Sequence, residues 1–156
     1  MKEIKLTRGK VALVDDADFE WLSKFRWRYS SAGYAVHTTL AKDSPDRKRK
    51  VYYMHKLILK PAEGLLTDHI DGNKLNNQRS NLRECTPSQN RMNQGKNRNN
   101  KIGFKGVRIH KRTGRFMAGI GFQNKYIYLG MRATAEEAHQ LYVEACKRLH
   151  GEFGKV

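Results

Sequence analysis

The chain of 156 residues has little of what many protein classes need: two cysteines, three prolines and no apolar run near the roughly 18 residues of a membrane span. Cys85 and Cys146 lie far apart with no Cys partner at metal spacing, which excludes a disulfide framework and zinc fingers built on CxxC, so no structural zinc is expected. The opening Met-Lys-Glu-Ile-Lys-Leu lacks the apolar centre of a signal peptide. The expectation is a cytoplasmic protein that is neither secreted nor membrane-bound. Acidic residues are scarce too, and their scarcity is local. The formal charge is +16, from 31 Lys plus Arg against 15 Asp plus Glu, and not one acid lies between Glu84 and Glu136, a stretch holding 11 basic residues. A block of this kind points to a polyanion, because each cation that neutralises a phosphate releases condensed counterions. Phe104, Phe116, Phe122, Tyr126 and Tyr128, interleaved in the block, argue for a folded unit over a solvated tail.

Periodicity then orders the chain. Residues 18 to 25 place Trp21, Leu22 and Phe25 on one face of a short helix. Residues 27 to 29, 34 to 40 and 51 to 54 read as strands, with turns at 30 to 33 and 42 to 46. Trp21, Phe25, Trp27, Tyr52 and Tyr53 are expected in the core, with stacking on bases as the alternative, and the basic run 47 to 50 against phosphate, with a solvated loop as the alternative. Short strands at 65 to 70 and 81 to 85 flank a polar loop dense in turn formers. Thr86-Pro-Ser-Gln89 has the form of a helix start. Residues 91 to 103 have almost no large apolar side chain and read as a basic linker. Beyond it, residues 104 to 110, 115 to 123 and 126 to 130 alternate as three strands, with Val107, Ile109, Phe116, Ala118, Ile120, Phe122, Ile127 and Leu129 on one face. Arg108, His110, Arg115, Met117, Gly119, Gly121, Tyr126 and Tyr128 share the other. A helix opened by the capping box Thr134-Ala-Glu-Glu137 and closed at Gly151 covers the apolar face. The fold class expected is α+β: a β-rich N-terminal segment, then a three-stranded antiparallel sheet packed on one helix.

The chemistry concentrates at Asp68-His69, Asn81 and Asn90. A hairpin whose second strand leads into a capped helix can bring Asp68 and Asn90 to one hard divalent cation through oxygen. It sets Asn81 beside His69. A neutral imidazole there could take a proton from an attacking water while an Asn holds the ring.

The segment from Thr67 to Asn90, with its DHIDGN, Asn-Asn, Asn-Leu-Arg and Ser-Gln-Asn, resembles the ββα-metal motif of HNH endonucleases, particularly phage and intron-encoded homing nucleases. The resemblance implies His69 as general base, Asn81 as its positioning residue, and Asp68 and Asn90 as ligands of one divalent cation, Mg²⁺ with Mn²⁺ as the alternative. His55, in an upstream apolar segment, matches a further family histidine and is a candidate for catalytic work, with packing or a phosphate contact as the alternatives. The implied reaction cuts double-stranded DNA to 5′-phosphate and 3′-hydroxyl ends. Lys105-Gly-Val-Arg108, Gly114-Arg-Phe116, the segment 126 to 130 and Thr134 to Ala138 resemble the ethylene-response-factor (Apetala-type) DNA-binding domain, whose sheet enters the major groove. On that resemblance the DNA contacts are Lys105, Arg108, His110, Arg112, Arg115, Tyr126 and Tyr128, with Lys96, Arg98 and Lys101 on the linker.

The expected organisation is a nuclease domain over 1 to 90 with its ββα core at 65 to 95, a linker over 91 to 103, and a DNA-binding domain over 104 to 153. Homodimerisation on DNA and association with the nucleoid fit this organisation. Two rival functions are a DNA-binding regulator on a silent HNH scaffold and an RNA-binding module.

Overall fold

An antiparallel hairpin opens the chain, pairing β1 (Lys2–Lys5) with β2 (Val11–Val14). Its alternation turns Ile4, Ala12 and Val14 inward, and α1 (Asp16–Leu22) packs on it with Leu22 fully buried. The computed structural model describes residues 1–40, 47–97 and 99–156. The turn expected at 42 to 46 and the cation Arg98 lie outside the described residues. Helix α1 starts earlier than its apolar pattern suggests, because Asp15, Asp16 and Asp18 favour a helix N-terminus. Phe25 consequently falls beyond the helix and is 40% exposed, not in the core as expected.

Strands β3 (Arg28–Tyr29), β4 (Ala35–Thr38) and β5 (Val51–Tyr53) form an antiparallel sheet in that order. Helix α2 (Met54–Leu59) follows β5 without a break, where the sequence suggested only a strand. Six residues are too few for a clear 3.6 period. Met54 and Ile58, four apart, anchor it in the core, and Lys60 ends it in the left-handed conformation at φ 52°. The hairpin of β6 (Leu66–His69) and β7 (Leu82–Cys85) follows, with Asp68 opposite Arg83 and His69 opposite Leu82. One apolar core joins these pieces, including Leu6, Trp27, Ala35 and Leu82. The Trp27 indole N–H donates to the Leu22 carbonyl at 2.8 Å, which satisfies its one polar atom inside that core.

The chain divides into two compact units, Met1–Thr86 and Pro87–Val156. Helix α3 (Pro87–Asn93) begins at the expected proline and opens the second unit, so residue 90 lies inside a helix and not at a division. Strands β8 (Val107–Ile109), β9 (Phe116–Phe122) and β10 (Lys125–Arg132) form an antiparallel sheet with β9 central. Helix α4 (Ala135–His150) opens with the full Thr134/Glu137 capping box and covers the sheet through Ala138, Tyr142 and Ala145. Val107, Ala118 and Ile120 are buried under it as expected. Ile109 and Ile127, placed on the same face by alternation, stay exposed. A bulge between Tyr128 and Gly130 also breaks the period in β10.

Candidate active site

Strand β6 delivers Asp68 and His69 to opposite sides of the hairpin, as successive strand residues must be. Both are buried, at 5% exposure each. The His69 Nε2 lies 3.3 Å from Oδ1 of Asn77, and Asn77 itself is completely buried. Its Nδ2 donates to the Leu75 carbonyl at 3.1 Å, which fixes the amide with its oxygen toward the imidazole. An amide oxygen only accepts, so in neutral His69 the proton sits on Nε2 and the basic lone pair on Nδ1. The backbone holds Asn77 in place, because its N–H donates to the Leu13 carbonyl and Leu13 N–H donates to Leu75, both at 2.8 Å.

Asn81, expected beside His69, does something else. Its Nδ2 donates to Asp71 Oδ1 at 2.9 Å and to the Asn76 carbonyl at 2.8 Å, and its Oδ1 accepts from the Asp71 N–H at 3.0 Å. Asn81 therefore ties the two ends of the loop together, and its backbone carbonyl accepts from the N–H of Ile70, the residue after His69, at 2.9 Å. Asp71 is the hub of this loop, accepting also from the Asn73 N–H and the Asn76 Nδ2. Burial would raise its carboxyl, yet the bonds from Asn76, Asn73 and Asn81 outweigh it and hold the group below the ordinary range. Arg79 anchors the far end of the loop, with Nε and Nη2 each 2.8 Å from the buried Asp18 carboxylate of α1.

Helix α2 brings His55 against His69, ring centroids 5.0 Å apart and edge to face, and Tyr34 covers both at 5.0 and 6.1 Å. The Nδ1 of His55 is buried and has no hydrogen-bond partner among the described residues. Burial, with the nearby His69 and Lys56 charges, pushes its imidazole down to about 3, so His55 is neutral. Burial also holds His69 below its ordinary range, against the Asn77 bond and the charges of Asp71 and Asp68.

On the other side of β6, Arg83 Nε donates to Asp68 Oδ2 at 3.0 Å, and its Nη2 lies 3.0 Å from the same oxygen. The sequence reading did not foresee this pair. Asp68 and Asn90 would supply only oxygen donors, which suits a hard cation. Asn90 lies on α3, in the second unit. Among the described residues no three His, Cys, Asp or Glu side chains gather as a metal cluster.

A family model of HNH endonucleases matches residues 52–92, which span α2, the β6-β7 hairpin and most of α3. Over 148 residues the chain is 33% identical to an uncharacterised HNH endonuclease of Acanthamoeba polyphaga mimivirus, covering 94% of this chain and 74% of that one. The chain belongs to the HNH endonuclease family. It is also 30% identical over 93 residues to Protein 3.8 of Escherichia phage T7, covering 60% of this chain and 76% of that protein. No solved structure matches it. Membership of this family supports a nuclease and implies DNA as the substrate.

In the second unit of this endonuclease, the sheet face away from α4 carries an exposed cluster. The Arg108 guanidinium lies 4.8 Å from the Tyr126 ring centroid, and Tyr126 and Tyr128 are each more than half exposed. Tyr126 lies across Gly119, where an added Cβ would come within 1.9 Å of the phenol. Gly119 therefore admits a tyrosine and not a DNA backbone, whereas at Gly121 the space is open. Arg112, Arg115, Lys96 and Lys101 are exposed. His110 Nδ1 lies 2.9 Å from Thr113 Oγ1 and braces its turn. Lys105, expected on DNA, is turned inward: its ammonium donates to the Met92 and Lys155 carbonyls at 2.9 and 2.7 Å. Burial lowers its basicity.

Proposed function

We propose that the chain is a metal-dependent endonuclease that hydrolyses a phosphodiester in double-stranded DNA, with His69 as general base. The observation that carries this reading is the His69 imidazole held through Nε2 by the buried, doubly anchored Asn77. That arrangement leaves the basic lone pair on Nδ1, as proton abstraction from water requires. The water oxygen bonds to phosphorus as its proton passes to His69. The bond from phosphorus to the 3′ oxygen breaks, and that oxygen leaves as a hydroxyl once protonated, so the other product keeps a 5′-phosphate. Asn77 and, through the loop, Asn81 position the base. His55, neutral and packed on His69, limits the ring's rotation.

Asp68 and Asn90 would hold one divalent cation, Mg²⁺ or Mn²⁺. When bound, such an ion offsets charge developing on the phosphate oxygens. The exposed sheet face, with Arg108, Arg112, Arg115, Tyr126 and Tyr128, would contact the target as the ethylene-response-factor resemblance implies, with Lys96 and Lys101 on phosphates. Two copies bound to one DNA site would allow both strands to be cut.

The Asp68–Arg83 pair favours one second reading, a DNA-binding regulator on a silent scaffold, because a guanidinium already stands beside the carboxylate a cation would need. Nicking of supercoiled plasmid with Mg²⁺ or Mn²⁺, abolished by chelator, is the expected result. Tight binding to DNA with no cutting over a series of divalent ions would establish the regulator instead.

A further inference from the structure

The first unit has a second concave surface that the proposed chemistry does not use. Strand β5 divides the two: Tyr53 faces His55, with ring centroids 5.6 Å apart, while the preceding Tyr52 faces the other way, toward His37 at 6.4 Å. On the His37 side lies a groove of about 960 Å³. Lys5, Lys24, Arg26, Arg28 and Arg49 line it, and among the described residues no carboxylate does. Thr38 accepts a 2.6 Å hydrogen bond from the Arg28 guanidinium, which fixes one of these cations at the wall.

Phe25 lines this groove and is 40% exposed as a residue. Trp27 meets it at 6.1 Å and 72°, and His37 at 5.1 Å and 52°. Trp27 is fixed by its bond to Leu22, so Phe25 is propped from behind and open in front. Five cations, with no acid beside them among the described residues, attract a polyanion. An exposed aromatic ring among them adds a stacking surface, the combination by which single-stranded nucleic acid is held. In a duplex the base faces are already stacked on each other, so only an unpaired base can lie on Phe25.

We infer that this groove binds an unpaired strand of DNA, its phosphates on the cations and a base on Phe25. The nuclease thereby recognises DNA with a single-stranded branch or tail beside the duplex it cuts. The inference rests on the nuclease reading for its biological sense but not for its binding chemistry, and the two are tested apart.

The full chain is titrated, in chelator so that nothing is cut, against a labelled oligothymidylate and a blunt duplex of equal length. Lys24→Glu/Arg26→Glu/Arg49→Glu changes three exposed side chains, with Lys60→Glu as the control outside the groove. Circular dichroism checks that each variant folds. The triple variant should bind the oligothymidylate at least about 30-fold more weakly. The slope of log affinity on log salt should become shallower by about 2, at about 0.7 for each single-strand phosphate that the groove no longer neutralises. Blunt-duplex binding should change less than about threefold. Phe25→Leu should weaken single-strand binding about tenfold, as removal of a base–aromatic stack does, whereas Phe25→Tyr should restore it. The inference is overturned if the wild type does not bind the oligothymidylate, if the triple variant binds it like the control, or if both DNA forms weaken equally. Plasmid nicking is scored separately. A wild type that never cuts, yet loses single-strand binding in the groove variants, contradicts the nuclease reading and upholds the groove.

Discussion

Asn77 sets which ring nitrogen of neutral His69 carries the proton. Among the neighbouring asparagines of its loop it is the one that is fully buried and reaches the imidazole. Asn77→Ala should lower kcat about 10- to 100-fold while leaving KM for DNA within about twofold, because it removes alignment of the base and no DNA contact. Asn77→Asp keeps an acceptor at the same place and should recover much of that loss; equal loss in both variants would show that Asn77 serves only the fold. Nothing in the sequence separated Asn77 from Asn73 or Asn76, since only the folded loop turns one of them inward. The Asp68–Arg83 pair was hidden for a related reason: it depends on the hairpin register, His69 opposite Leu82 and Asp68 opposite Arg83, which only the folded strands set.

Where hydrophobic period and capping agree, the elements followed the sequence. The three strands of the second unit, the Thr134 capping box and the α4 stripe are observed where alternation and helical spacing put them. Helix α2 was missed because six residues after an aromatic strand carry almost no period, and tertiary burial of Met54 and Ile58 decided the matter. Close approach also escaped the pattern. At Gly106, with φ 77°, an added Cβ would lie 2.0 Å from the buried Tyr142 ring. Gly106→Ala should therefore destabilise the second unit by at least about 2 kcal/mol, from overpacking and a left-handed backbone together. Thermal unfolding followed through that unit's tyrosines measures it, and an unchanged Tm would contradict the packing described.

For the molecule as a whole, the +16 charge is distributed by task. The acid-free stretch supplies exposed cations along α3, the following segment and the sheet, whereas residues 61 to 84, which include His69 and Asp68, carry three basic and four acidic side chains. Stability responds to the buried imidazole of His55. Its folded value, about 3, lies below the ordinary 6.5, so between those limits the unfolded chain binds a proton that the folded chain does not. Stability is then full above about pH 6.5 and falls as pH drops, by about 1.4 kcal/mol per unit from this group. His55→Gln should flatten that part of the curve measured by urea unfolding at pH 7, 6 and 5; an unchanged slope would mean the imidazole is already protonated in the fold.

On the proposed function, His69 performs the chemistry and is not needed to hold DNA. The direct measurement is single-turnover cleavage of an end-labelled duplex with Mg²⁺, run beside binding to the same duplex, for wild type and His69→Ala. The wild type should give 5′-phosphate and 3′-hydroxyl products. His69→Ala should cut at a rate lower by at least about 100-fold with affinity within about threefold. A variant that cuts at the wild-type rate would contradict that role for His69.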